Sequence, residues 1–271
     1  MSHDLAGRTA VVTGASSGIG RAIAEQLGAQ GAHVVLSGRE IVAMEQSKER
    51  IEASGGQATV VSSDIRDPEA MRTLVDTAIE VGGQLDIFVN NAGVSYLGTV
   101  LGGTHESWRS MLDTNVFALL VGCQEAVRVM RAKGNAGYIV NVSSVAAHDS
   151  ASGVYGATKH AVNVITNTLT QELLDDPIKM VSVMPGLVAT NIGRNVDPAI
   201  IEGMVAMSGV AATFTPGERL PDEVLIGAQA ALSEYMIRPE DVAAAVVFAV
   251  TQPAGVHVAE VVVRPNKQMS L

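Results

Sequence analysis

Thr9-Ala10-Val11-Val12-Thr13 runs straight into Gly14-Ala15-Ser16-Ser17-Gly18-Ile19-Gly20, and apolar residues at helical spacing continue to about Gln30. The β-branched run before the glycines reads as a strand, Thr9–Thr13, and the pattern after them as a helix, Gly18–Gln30. Glycines between a strand and a helix allow a tight turn. They also let backbone N–H groups approach a pyrophosphate at the helix N-terminus. The spacing is Gly-x3-Gly-x-Gly, with a longer first gap than the common dinucleotide-binding pattern, which widens the cradle without changing its physics. Gly14, Ser16, Ser17, Gly18, Ile19 and Gly20 are therefore the first candidates for cofactor contact, against a purely structural turn.

The same alternation continues. Strands are expected at His33–Ser37, Thr59–Ser62, Asp86–Asn90, Tyr138–Val142, Met180–Met184 and Val258–Val263. Helices are expected at about Val42–Ala53, Pro68–Val81, His105–Ala132, Tyr155–Leu174 and Pro239–Thr251. Thr104 before the fourth helix and Arg238-Pro239-Glu240-Asp241 before the last have the chemistry of helix starts. Short strands alternating with longer helices predict an α/β fold, a parallel sheet covered on both faces. From about Asn191 to Ile237 the alternation breaks, with Pro198, Pro216, Pro221 and only short helical patterns. That segment follows the carboxyl end of the sixth strand and reads as a lid over a substrate.

A chain of 271 residues, 47% hydrophobic, is long enough for one large domain spanning 1–271. With 28 acidic against 18 basic residues the net charge is −10, which argues against nucleic-acid binding. A single cysteine, Cys123, excludes an intrachain disulfide and suits a reducing compartment; its apolar surroundings read as a buried, inert thiol. Met1–Leu5 lacks the pattern of a signal peptide, and no apolar run reaches the roughly 18 residues of a spanning helix. A soluble, cytoplasmic protein with no membrane partner is expected. No His/Cys/carboxylate cluster has metal-ligand spacing, so no metal is expected.

Two further stretches carry chemistry. Leu36-Ser37-Gly38-Arg39 ends the second strand without the carboxylate that binds the ribose 2′-OH of NAD. Arg39 could face a 2′-phosphate, or be a solvated surface residue, so NADP(H) is favoured with NAD(H) possible. Tyr155 and Lys159 stand four apart on an expected helix and share one face. An ammonium beside a phenol lowers its pKa from about 10 and makes Tyr155 a candidate general acid/base. A Tyr half in the core with a solvated Lys would give the same spacing.

Taken together, the glycine-rich turn, Asn90-Asn91-Ala92-Gly93, Ser144, Tyr155-x-x-x-Lys159 and Pro185-Gly186 occur in one order, each near a strand end. That set resembles the short-chain dehydrogenase/reductase family from about Leu5 to the end, and Tyr-Gly-Ala-Thr-Lys with Val261-Val262-Val263-Arg264-Pro265 is similar to its carbonyl and hydroxy-acid reductase branch. The resemblance implies a Rossmann-type doubly wound sheet of about seven strands in the order 3-2-1-4-5-6-7. It implies an NADP(H)-dependent oxidoreductase interconverting a small to medium, largely apolar ketone or aldehyde and its alcohol. Tyr155 would exchange the proton, Lys159 would lower its pKa and hold the nicotinamide ribose, and Ser144 would hydrogen-bond the substrate oxygen, with Ser143 as the alternative. Asn115 would hold a helix kink and a water leading from Lys159 to solvent. Asp64 and Ile65 would contact adenine, Asn91, Ala92 and Gly93 would support the cofactor, and Pro185, Gly186, Val188 and Thr190 would approach the nicotinamide carboxamide and phosphates.

The 11 positions from Ser144 to Tyr155 are fewer than the commoner family spacing, so the loop His148–Ser152 is trimmed. Met and Ile residues of the 191–237 segment suit an apolar pocket, and Arg194 and Arg219 could bind one substrate carboxylate. The fourth and fifth helices are apolar on more than one face, which together with the resemblance implies a homo-oligomer, dimer or tetramer. Two other readings stand beside the leading one. They are a catalytically inactive dinucleotide-binding sensor or scaffold, and an enzyme using the cofactor transiently as an isomerase or epimerase. An NAD-dependent alcohol dehydrogenase is the nearer variant.

Overall fold

A computed structural model describes residues 4–196, 198–215 and 217–267. Its sheet consists of β1 (Thr9–Thr13), β2 (His33–Gly38), β3 (Gln57–Ser62), β4 (Ile87–Asn90), β5 (Gly137–Val142), β6 (Ile178–Pro185) and β7 (Glu260–Val263). The order is β3-β2-β1-β4-β5-β6-β7, as the resemblance implies, and every pairing is parallel, as expected from the alternating pattern. The order reverses between β1 and β4, so the chain connections leave in opposite directions there and open a crevice at the carboxyl ends, the usual ligand position in open α/β sheets.

Side chains alternate across the pleat and divide the core in two. Val12, Leu36, Val89 and Val181 face one layer, where they pack with Ile23 and Leu27 of α1 (Gly18–Ala29), Met44 and Ile51 of α2 (Ile41–Ala53), and Val246 of α9 (Pro239–Val250). Val11, Phe88, Ile139 and Met180 face the other. There they meet Leu74 of α3 (Pro68–Gly82), Cys123 and Met130 of α5 (Ala118–Lys133), and Val162 of α6 (Gly153–Glu172). The central strands are therefore buried on both faces, which explains why these runs read as continuously β-branched rather than alternating.

Two expectations need correction. The helix expected at His105–Ala132 is broken: α4 (His105–Leu112) and α5 are joined by one wide π-type turn, Asp113–Phe117. The 191–237 segment is also more regular than its prolines suggest. It forms a 3₁₀ turn at Asn191–Asn195, then α7 (Pro198–Ser208) and α8 (Asp222–Ala231). Pro198 and Pro221 sit at helix starts, where a missing N–H costs nothing. Pro216 lies outside the described residues. Ile201, Val224 and Leu225 give the two helices a small apolar core of their own.

Candidate active site

The turn between β1 and α1 builds one end of the site. Gly14 takes φ +67° and Gly18 φ +54°, left-handed backbone that residues with side chains avoid. Neighbours tighten the demand: a Cβ on Gly18 would lie 2.9 Å from Thr190 Cγ2, and one on Gly20 only 2.3 Å from the Gly14 carbonyl oxygen. Asn91 locks this shape by donating from Nδ2 to the Thr13 carbonyl at 2.8 Å. Backbone N–H groups of Asn91 and Ala92 both donate to Thr13 Oγ1, at 3.0 and 3.1 Å.

Gly14, Ser16, Ser17, Gly18, Ile19 and Gly20 line a cleft of about 420 Å³, together with Arg39, Asp64, Ile65, Asn91, Ala92, Gly93 and Thr190. Three features of the cleft fit a dinucleotide. Ser17, at the start of α1, is extended and makes no side-chain cap, so the first-turn amides are left for an anion. Thr190 Oγ1 is buried with no partner among the described residues, a state that costs about 1–3 kcal/mol until something bonds it. The close approaches at Gly18 and Gly20 keep the backbone bare.

Other expected contacts are placed differently. Pro185, Gly186 and Val188 do not line the cleft: Gly186 donates its N–H to the Val263 carbonyl, and a Cβ there would meet Arg264 and Pro265. The Val188 side chain belongs to the α1/α9 core layer. Asp64 is engaged by a neighbour that motif reading does not mark. The Arg66 guanidinium forks onto its carboxylate, and this hydrogen bonding holds the carboxyl down at about 2. Arg66, Tyr96, Ser110 and Thr114 also line the cleft. Nothing in their local spacing singles them out, because they meet only through the chain reversal at β1 and β4.

At the other end of the site, Ser144, Tyr155 and Lys159 are brought together by β5 and α6. A buried polar chain seats α6: Asn90 Nδ2 donates to Asn141 Oδ1 at 2.9 Å, and Asn141 Nδ2 donates to Thr166 Oγ1 at 2.9 Å. Losing one partner in such a chain leaves a desolvated group unpaired, so α6 has a fixed rotation on the sheet. The two adjacent serines separate cleanly. Ser143 Oγ donates to the Lys159 carbonyl at 3.1 Å and is spent on structure. Ser144 caps the 3₁₀ turn Val145–His148 and keeps its hydroxyl against the Tyr155 phenol.

Asn115 sits in the π-type turn and is buried. Its Oδ1 accepts from the Val94 N–H at 2.9 Å, while Nδ2 donates to the Val94 carbonyl at 2.9 Å and to Thr158 Oγ1 at 3.1 Å. The wide turn is what lets one amide reach both partners. Asn115 therefore ties the loop after Gly93 to α6, from within the π-type turn. Lys159 Nζ points to the same place: it would lie 3.7 Å from a Cβ on Gly93.

The electrostatics depart from the expectation that Lys159 depresses the Tyr155 pKa. Its buried ammonium instead donates to the Val142 carbonyl at 2.8 Å and stands 5.9 Å from the phenol ring centre. Burial pushes the Tyr155 phenol up to about 12, opposed only by the Ser144 hydroxyl, and pushes Lys159 down to about 8. Desolvation dominates both groups in this arrangement. Cys123 is buried with its thiol pushed up to about 12, which makes it inert.

A family model described as short chain dehydrogenase matches residues 8–200. An uncharacterised oxidoreductase of Staphylococcus haemolyticus is 35% identical over 269 residues, covering 97% of this chain and 99% of its own length. A metagenomic short-chain oxidoreductase solved in complex with NADP is similar in structure with a TM-score of 0.74 at 28% identity, covering 97% of this chain and 98% of its own. A short chain dehydrogenase/reductase from Burkholderia phymatum, in complex with NAD, gives 0.76 at 26% identity, covering 96% and 89%. The chain thus belongs to the short-chain dehydrogenase family and is an NAD(P)-dependent oxidoreductase.

Proposed function

We propose that this chain is an NADP(H)-dependent reductase or dehydrogenase of a largely apolar carbonyl/alcohol pair, with Tyr155 as general acid/base. The observation carrying the proposal is that a buried Lys159 ammonium stands 5.9 Å from the ring centre of Tyr155, one helical turn away, with Ser144 close enough to the phenol to act on its ionisation. Nicotinamide, when bound, supplies or takes the hydride. Ser144 and Tyr155 would then hold the substrate oxygen between two hydroxyls, steadying charge that develops there. Tyr155 gives its proton to that oxygen in reduction and takes one in oxidation. Lys159, released from the Val142 carbonyl, would bring its charge toward the phenol and lower the high pKa that burial imposes. Asn115, fixed on Val94 and Thr158, would hold the floor beneath Lys159.

Preference for NADP(H) is supported by Arg39. This exposed residue lines the cleft at the end of β2 and makes no hydrogen bond or ion pair among the described residues. The 191–237 segment, with α7 and α8, is read as the cover of the substrate side. Exposed Leu112, Phe117, Leu120 and Val164 on and between α4, α5 and α6 support a homo-oligomer. Among the described residues no helix is long and apolar enough to cross a membrane. The lone, buried Cys123 supports a cytoplasmic home.

A panel of ketones, aldehydes and alcohols, followed at the nicotinamide absorbance with both cofactors, tests the reading. Turnover should be at least about tenfold more efficient with NADPH than with NADH, the worth of one charge-assisted contact to phosphate. Equal or better rates with NADH would favour an NAD enzyme, in line with the Burkholderia relative's complex. No net oxidation or reduction with any substrate would favour a sensor or an isomerase.

A further inference from the structure

The 191–237 segment crosses the cleft rather than merely bordering its substrate end. On one side Asn195 Nδ2 donates to the Ser95 carbonyl at 3.1 Å. On the other, Arg219 Nη2 donates to the Ser16 carbonyl at 3.3 Å, and the Arg21–Asp222 ion pair closes at 2.6 Å. Buried Asn191 joins these halves, accepting from Leu220 N–H at 2.7 Å and donating to the Leu220 carbonyl at 3.2 Å. The segment is thus a strap held on the glycine-rich turn and on the loop after β4.

Two of its arginines converge on Arg39. Ser16, which accepts from Arg219, lies beside the end of β2: a Cβ on Gly38 would be 3.4 Å from its Cβ and Oγ. Arg194 lines the cleft, half-buried, and feels both the Arg39 and the Arg219 guanidiniums as repelling neighbours. Among the described residues none of the three has a carboxylate within ion-pair distance, whereas Arg66 close by is already spent on Asp64. In a chain of net charge −10, Arg194 lies within electrostatic reach of both Arg39 and Arg219, and the carboxylate acting on Arg39, Asp64, is itself forked by Arg66; that arrangement leaves positive charge over for an anion. The end of the second strand is where a dinucleotide's adenosine ribose sits.

We propose that Arg194 and Arg219 of the strap, with Arg39, form the site for the 2′-phosphate of NADP(H), so that the strap itself selects the cofactor. The inference rests on the NADP(H) reading above and assigns these two arginines to the cofactor, in place of the substrate carboxylate considered from the sequence. A dianionic monoester would receive guanidinium N–H groups from three directions and remove the repulsion among them. A 2′-hydroxyl would leave the three cations facing one another.

Arg194→Gln, Arg219→Gln and their double variant would be tested by fluorescence or calorimetric titration with NADPH and NADH. Adenosine 2′,5′-bisphosphate and 5′-ADP serve as fragments. Each single variant should weaken NADPH and the bisphosphate about tenfold, and the double about a hundredfold, with NADH and 5′-ADP changed less than about twofold. Both side chains reach solvent, so the fold should survive; melting without ligand checks this, and Arg219→Lys gives a second variant that should lose only part of the discrimination. Equal losses for NADPH and NADH would overturn the assignment in favour of a pyrophosphate clamp. Unchanged NADPH binding would overturn it outright while leaving the NADP(H) reading intact. A wild-type protein that binds NADH as tightly as NADPH would sink that reading, and this inference with it.

Discussion

Tyr155→Phe should lower kcat by about a hundredfold to ten-thousandfold, the range carried by a positioned proton donor, and leave the Kd for NADPH within about twofold. The two halves of that expectation come from separate parts of the structure. The phenol is the hydroxyl that faces Ser144, whereas the cleft is lined by the glycine-rich turn, Arg39 and Thr190, with Tyr155 not among its lining residues. Phe keeps the ring in place on α6, so the helix and the Ser144 turn should persist. Full turnover in the variant would transfer the proton to another group; equal loss of NADPH binding would show that the hydroxyl supports the cleft instead. Steady-state kinetics and a binding titration on one preparation read both.

Gly20→Ala should be the most damaging small change in the phosphate cradle. The added Cβ would stand 2.3 Å from the Gly14 carbonyl oxygen and 2.8 Å from its carbon, both backbone atoms of a turn already at φ +67°. It would also meet Asn91 Nδ2, the donor that locks the turn to Thr13. Overpacking of this kind costs about 1–3 kcal/mol, and displacing the first-turn amides removes charge-assisted contacts to phosphate. We expect a lower Tm and a loss of NADPH affinity of about a hundredfold or more if two such contacts go. Gly203→Ala in α7 is the matched comparison, since a Cβ there meets nothing within 4 Å. It should be neutral or slightly stabilising. Similar effects from both substitutions would mean that the turn tolerates the added carbon.

What can be read from the sequence, and what cannot, divides along contact distance. Strand–turn–helix chemistry is local, so Gly14 to Gly20 and the shared face of Tyr155 and Lys159 emerge from motif and period, whereas the strand order and the place of Ser144 beside them are implied only by the family resemblance. The Thr104 cap is local too: its Oγ1 accepts from Ser107 N–H at 3.2 Å. The wide turn at Asn115 enters the sequence reading only through the resemblance, as a helix kink, because its bonding partner Val94 lies 21 positions away. Arg194 and Arg219 are visible in the sequence as cations, but their approach to the turn and cleft that Arg39 borders needs the strap to fold back onto Ser16 and Ser95. The ionisation of Tyr155 escapes the sequence for the same reason. Spacing places a cation near a phenol, but only the packed structure shows that cation turned to the Val142 carbonyl and the phenol pushed up by burial.

The ionisation of Tyr155 itself is the most direct measurement, read as the phenolate difference spectrum between wild type and Tyr155→Phe during alkaline titration. Without cofactor, Tyr155 should remain protonated past the ordinary tyrosine value of about 10, since burial places it at about 12. With oxidised cofactor bound, its midpoint should fall below about 10, and Lys159→Met should abolish most of that fall. A midpoint that stays high in the bound enzyme, with turnover intact, would contradict the account of Tyr155 as the proton-exchanging group.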